Sequence, residues 1–325
     1  MLLLSVTCCT NPSNHDNTDG HKTKSPVPVS APAERAMQVH VLYRSLDNGQ
    51  HWSEFSNELP SEATVIGIVE KESKLFIATN FHGVFISENG SNHWKSIMGN
   101  LPNGIDINAI ITFESALVIG TLKHGVYVSL DEGVTWHPAA TNLQRTSIRS
   151  LIALKGKLLA GTDNGIYTSI DEGNNWEHIY GGKQVTGFTI LNGKTYAGLS
   201  NGAIMSKDNG DHWQYIYQPD ALHDISNDGV YVYAMTMGEG LLRTKTDGVQ
   251  WENANNGFGN LYTFEVKNVG NDLFAAQWYG IYHSMNRGNS WRKLSTGSNG
   301  LPDSTAFTVM EITKSGILAA IGLRK

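Results

Sequence analysis

Cysteine is almost missing from this chain. It has two, Cys8 and Cys9, side by side, so the long body after them can hold neither a disulfide nor a cysteine-ligated metal. Charge is sparse too. Charged residues make up 17%, below the usual quarter, and the net charge of −6 leaves no basic footprint for nucleic acid. No apolar run is long enough for a membrane-spanning helix. His-Glu-x-x-His, Gly-x-Ser-x-Gly and a phosphate loop are all absent. What is abundant is glycine, with 34 residues in 325. That balance suits a β-rich fold with many turns, and all-β chains of this length are often one domain.

One octapeptide recurs. "SLDNGQHW" (45–52), "SLDEGVTW" (129–136) and "SIDEGNNW" (169–176) are near copies. Aligning tryptophans extends the set to seven: Trp52, Trp94, Trp136, Trp176, Trp213, Trp251 and Trp291, spaced 37 to 42 residues apart. A hydroxyl stands seven residues before each. Two residues after it lies Asp47, Asn89, Asp131, Asp171, Asp208, Thr246 or Asn286. Before each octapeptide comes a short alternating segment such as "GVYVS" (125–129), and two further apolar runs lie upstream of that. A fourth run follows the tryptophan. Short β-rich runs with turn signals between them read as antiparallel sheet. Four strands in about forty residues is one propeller blade.

The pattern S-x-D-x-G-x-x-W resembles the Asp-box, or BNR repeat. It is shared by sialidases, sortilin-like receptors, xyloglucanases and photosystem II assembly-factor-like proteins. The resemblance implies an all-β fold: a seven-bladed β-propeller of four-stranded antiparallel blades over residues 37–325. The chain ends on a first and a second strand (306–312 and 316–321) and its folded part begins on a third. The closing blade is therefore expected to draw two strands from each terminus, which removes exposed sheet edges. Val41 stands where other copies have glycine, as a joint there requires.

The octapeptide falls between the third and fourth strands, so it reads as a hairpin. Its carboxylate or hydroxyl accepts turn N–H groups, its glycine takes positive φ, and its tryptophan buries a ring while its N–H finds an acceptor. Asn89 and Asn286 should accept as an aspartate does. Asp47, Asp131, Asp171 and Asp208, with the seven tryptophans, are thus expected to be structural. A calcium loop would need alternating oxygen ligands and a distant Glu, which the octapeptide lacks. No metal or cofactor is expected.

Residues 1–36 are a different kind of chain. "MLLLSVTCC" is a short apolar stretch ending in cysteine, and the polar, Pro- and Ser-rich segment after it cannot bury enough surface to fold. The stretch resembles the tail of a bacterial lipoprotein signal, without the positive n-region. It implies export to the periplasm or cell surface, lipid attachment at Cys8 or Cys9, and a true start upstream of Met1. A disordered cytosolic terminus is the alternative.

Function is then expected on the face opposite the octapeptides, at the turns between second and third strands and at the connections between blades. Phe81, Trp278 and Tyr279 are large aromatics in such turns. His82 and His124 hold matching positions in adjacent blades. Lys123, Arg145 and Arg149 are cations there. An aromatic and cationic rim can stack sugars or grip a peptide. The residues favour a non-catalytic binding or scaffold module for a protein or glycan: a monomer, touching no nucleic acid and meeting a membrane only through its lipid. The alternative is a sialidase- or xyloglucanase-like glycoside hydrolase, which needs two carboxyls about 5–10 Å apart. Asp106, Asp163, Asp224, Glu239 and Asp303 are its candidates. The sialidase Arg-Ile-Pro motif ahead of the first octapeptide is absent.

Overall fold

The two ends of the folded chain share one sheet. In a computed structural model that describes residues 40–139, 143–218 and 220–322, strand Leu42–Ser45 pairs antiparallel with Gly316–Ile321, Tyr43 opposite Ala319. Strand Phe307–Thr313 lies inside that pair and Ser53–Glu54 outside it. This is the closing blade, with two strands from each terminus as the repeat count requires. Val41 keeps the turn glycine's place in the ladder without its positive φ: Ile321 N–H donates to its carbonyl at 2.9 Å, as Thr121 N–H does to Gly125. Cys8 and Cys9 lie outside the described residues.

Among the described residues, six further four-stranded antiparallel sheets follow in chain order, at 64–96, 107–138, 148–181, 185–217, 222–253 and 263–293. They are the first to sixth blades below. Each inner strand neighbours the next, and Phe307–Thr313 returns to Thr64–Lys71 to complete the ring. The core is divided among the blade interfaces. One apolar cluster joins Phe264, Phe274 and Ile281 of the sixth blade to Phe307 and Ala319 of the closing one. Another joins Leu42 and Leu318 to Val65 and Ile77. Burial of these faces drives closure.

Two details vary from blade to blade. Most outer strands are very short, such as Lys95–Ser96, while the third blade keeps Glu177–Gly181. The fifth blade's inner strand is Leu222–Asn227, so Asp228 falls in the following turn.

A third detail is shared by all seven inner strands. Near its start each breaks register by one residue against the second strand, placing Ile66, Asn108, Arg149, Thr186, His223, Phe264 and Thr308 at the irregularity. A bulge of this kind re-aims side chains. Here it recurs at the end of the ring opposite the octapeptides, because inner strands start there.

Candidate functional site

The octapeptide turns satisfy themselves. Ser45 Oγ accepts from Gly49 N–H at 2.8 Å and donates to Asp47 Oδ1 at 2.9 Å. That oxygen also accepts from His51 N–H at 2.8 Å, and Oδ2 meets His51 Nδ1 at 2.6 Å. Asp131, Asp171 and Asp208 repeat the arrangement, with Thr135, Asn175 and His212 on their second oxygens. These bonds hold Asp47 and Asp131 at about 2, led by His51 N–H in one and the Thr135 hydroxyl in the other. Asn286 accepts from Ser290 N–H in the same way. Asn89 does not. The first blade's turn is shifted by one residue, so Asn89 itself takes positive φ, 53°, and Ser87 Oγ donates to Ser91 O instead.

The tryptophans hold blades together. Trp52, Trp176 and Trp213 donate Nε1–H to their own turn glycine. Trp94, Trp136, Trp251 and Trp291 donate instead to Phe55, Ile97, Ile216 and Ala254 of the preceding blade.

On the opposite face three of the five candidate polar residues already lie against a carboxylate. His124 Nδ1 lies 3.1 Å from buried Asp106, and His82 Nε2 lies 3.6 Å from Glu62. Arg149 Nε donates to Asp163 at 2.7 Å, an oxygen it shares with Gln184. Lys123 and Arg145 are exposed, and neither has an ion-pair partner among the described residues. Phe81 is 55% exposed at φ 68°, its N–H tied to Ile105 O. No ring contact joins it to another aromatic among the described residues.

Trp278 is different. It is half-buried over Phe264, ring centroids 4.9 Å apart, with Tyr262 at 6.1 Å. Across the blade boundary His223 meets Phe264 at 5.6 Å, and its Nδ1 lies 3.1 Å from the Tyr262 hydroxyl. Burial pulls the His223 imidazole below its ordinary value, which keeps it neutral near pH 7. Tyr279, next in the turn, is 47% exposed. The structure thus gathers His223, Tyr262, Phe264 and Trp278 into one cluster between the fifth and sixth blades. Sequence reasoning named only Trp278 of these. His223 and Phe264 are bulge residues inside segments read only as apolar runs.

Next to Phe264 in the chain begins a run of half-buried charge. Lys267 Nζ lies 3.1 Å from Glu265 Oε1 and 2.8 Å from Glu311 Oε2 on the closing blade. Glu265 Oε2 accepts from Met310 N–H at 2.5 Å. Burial pulls the Lys267 ammonium down, but the two glutamates outweigh it and hold it above its ordinary value. Asp224 is pushed up to about 7, first by burial and then by Glu265. A Cβ on Gly187 of the fourth blade would lie 1.9 Å from Asp224 Oδ1, so glycine makes room for this carboxyl. Of the five carboxyls named from sequence, only Asp224 sits on an inner strand. Asp163 and Asp303 form ion pairs with Arg149 and Lys293, buried Asp106 lies against His124, and Glu239 lies in a turn.

No family model matches this chain, and no curated protein matches it by sequence. Solved structures do match. Ycf48 bound to a D1 peptide superposes with a TM-score of 0.62 at 14% identity, over 81% of this chain and 94% of that one. The extracellular domain of a hybrid two component system from B. thetaiotaomicron gives 0.68 at 18%, over 83% and 38%. The GH74 xyloglucanase from Xanthomonas campestris gives 0.65 at 14%, over 88% and 55%. Identities this low show the fold alone. The chain is a seven-bladed β-propeller that resembles Ycf48, extracellular sensor-system domains and GH74 propellers.

Proposed function

We propose that this chain is a non-catalytic binding propeller whose octapeptides are structural Asp-boxes, and that it recognises a protein or a glycan on the opposite face. One observation carries the reading. Trp278 and Tyr279 stand partly exposed on that face beside His223 and Tyr262, whereas the four box aspartates spend both oxygens on their own turns. A propeller of the same fold binds a peptide in the Ycf48 complex. Export and lipid attachment through Cys8 or Cys9 belong to the same proposal. A clickable palmitate should label the chain and fail to label a Cys8→Ser, Cys9→Ser double variant.

The competing hydrolase reading draws on Asp224, whose raised value beside Glu265 suits a general acid. The partner carboxylate counts against it. Both Glu265 oxygens are engaged, by Lys267 and by Met310 N–H, which lowers their basicity toward a sugar or a water. Capture on a glycan array and pull-down from membrane extract test the binding reading. Trp278→Ala with Tyr279→Ala should abolish capture, and Val134→Ser on the box face should leave it intact. The reverse pattern, or turnover of xyloglucan that Asp224→Asn removes, would sink it.

A further inference from the structure

Among the described residues on the face opposite the octapeptides, four large apolar side chains stand about half exposed: Phe81, Met237, Leu261 and Tyr279. All but Phe81 belong to the fifth and sixth blades, and they connect. Met237 opens the turn after strand Val232–Thr236, and its N–H donates to Ala221 O at 2.9 Å. Ala221 leads into Leu222 and His223, and His223 reaches Tyr262, the neighbour of Leu261. Tyr262 meets Trp278, and Tyr279 follows. Backbone and ring contacts thus tie the segments that carry a strip of Met237, Leu261, Trp278 and Tyr279 to one aromatic cluster.

Its rim is acidic. Asp220 Oδ2 accepts from Gly238 N–H at 2.8 Å, which folds that carboxylate onto the Met237 turn. Glu239 is in the same turn. Neither forms an ion pair among the described residues. Both lie near the Tyr217 hydroxyl, which burial first and then these two charges push up to about 12. The cation beside Tyr279 is already taken: Lys293 reaches within 3.2 Å of the Cβ position of Gly280 but pairs with Asp303 at 2.5 Å. His223 is neutral. Two carboxylates therefore remain unbalanced beside an apolar strip.

We infer that this strip docks a peptide segment of a partner protein in which Leu, Met or aromatic anchors are flanked by Lys or Arg. The inference rests on the opposite-face reading and names its partner. Sugar hydroxyls pressed on the Met237 thioether and the Leu261 methyls would lose water without gaining acceptors. Apolar anchors lose nothing there, Met adapts to their shape, and aromatic residues are common hot spots. The two carboxylates would steer a basic segment and penalise an acidic one.

Trp278 is the one tryptophan outside the octapeptides, which supplies the test. Fluorotryptophan is incorporated into the full chain, and Trp278→Phe assigns the Trp278 signal by its loss. Short peptides pairing Leu, Met or Phe with Lys or Arg are titrated in, beside the same peptides with Glu for Lys and a xyloglucan oligosaccharide. The basic peptides should shift the Trp278 signal and bind more weakly as salt rises. Met237→Ser, Leu261→Ser and Glu239→Gln should each weaken them by about three- to tenfold, a loss of roughly 0.7–1.4 kcal/mol. An unmoved Trp278 signal, or equal response to the acidic peptides, overturns the inference. A shift caused by the oligosaccharide alone overturns it while leaving the opposite-face reading intact. Peptides that move only the octapeptide signals overturn both.

Discussion

Arg287 Nη1 lies 2.7 Å from Asp228 Oδ2 and so joins the octapeptide turn of the sixth blade to the inner hairpin of the fifth. The Asp228 side chain is fully buried. It also accepts from Val230 and Tyr231 N–H and from the Tyr233 hydroxyl. Burial alone would push this carboxyl up, but those bonds and the guanidinium together hold it below its ordinary value. Arg287→Ala leaves the buried charge without its cation and should cost about 3 kcal/mol. Urea denaturation checks it. A loss below about 1 kcal/mol would mean that the hydrogen bonds alone suffice.

Trp136 is fully buried and donates to Ile97 O of the preceding blade at 3.2 Å. Truncation to Ala should cost about 3–5 kcal/mol. Trp136→Phe keeps most of the packing and loses one hydrogen bond, so the bond's share is about 1 kcal/mol. The two midpoints, measured together, separate packing from bonding at a blade interface.

Acid should act through the octapeptides. An unfolded aspartate titrates near about 3.9, while Asp47 and Asp131 sit at about 2 in the fold. Below the unfolded value the unfolded chain binds more protons than the native one, so stability is lost as pH falls through that window. Asp131→Asn should show a flatter acid limb in a thermal-midpoint profile and converge on the parent near pH 2. Parallel profiles would refute the assignment.

Asp224 has the opposite sign. Its folded value, about 7, exceeds the unfolded one, so between about 4 and 7 the native state holds the extra proton and stability declines as pH rises. Asp224→Asn should be more stable than the parent at pH 8, with the difference fading below about pH 4. Gly187→Ala would drive a methyl against this carboxyl and should cost about 1–3 kcal/mol. The cost should shrink in an Asp224→Ala background, because contacting residues couple.

The repeat was legible because it is written locally. Seven spaced tryptophans, the hydroxyls before them and alternating runs between turns define blades without any knowledge of neighbours. Even the closing blade could be counted out, as the pairing of Tyr43 with Ala319 bears out. The aromatic cluster was not legible. Strand alternation assigns each side chain a face by parity, and the bulges at His223 and Phe264 break that parity. Trp278 could be singled out as odd among turn residues, but the partners it packs on could not.

The sequence by itself determined the period, the blade count and the internal hydrogen bonds of turns such as Asp131 with Thr135, since these need only residues close in the chain. Ring closure decided the rest. Arg287 meets Asp228, Lys267 bridges to Glu311 and Gly187 yields to Asp224 only because blades about forty residues apart are pressed face to face. Which side chains share an interface, and which are then left in water, is set by burial across those faces rather than by spacing along the chain.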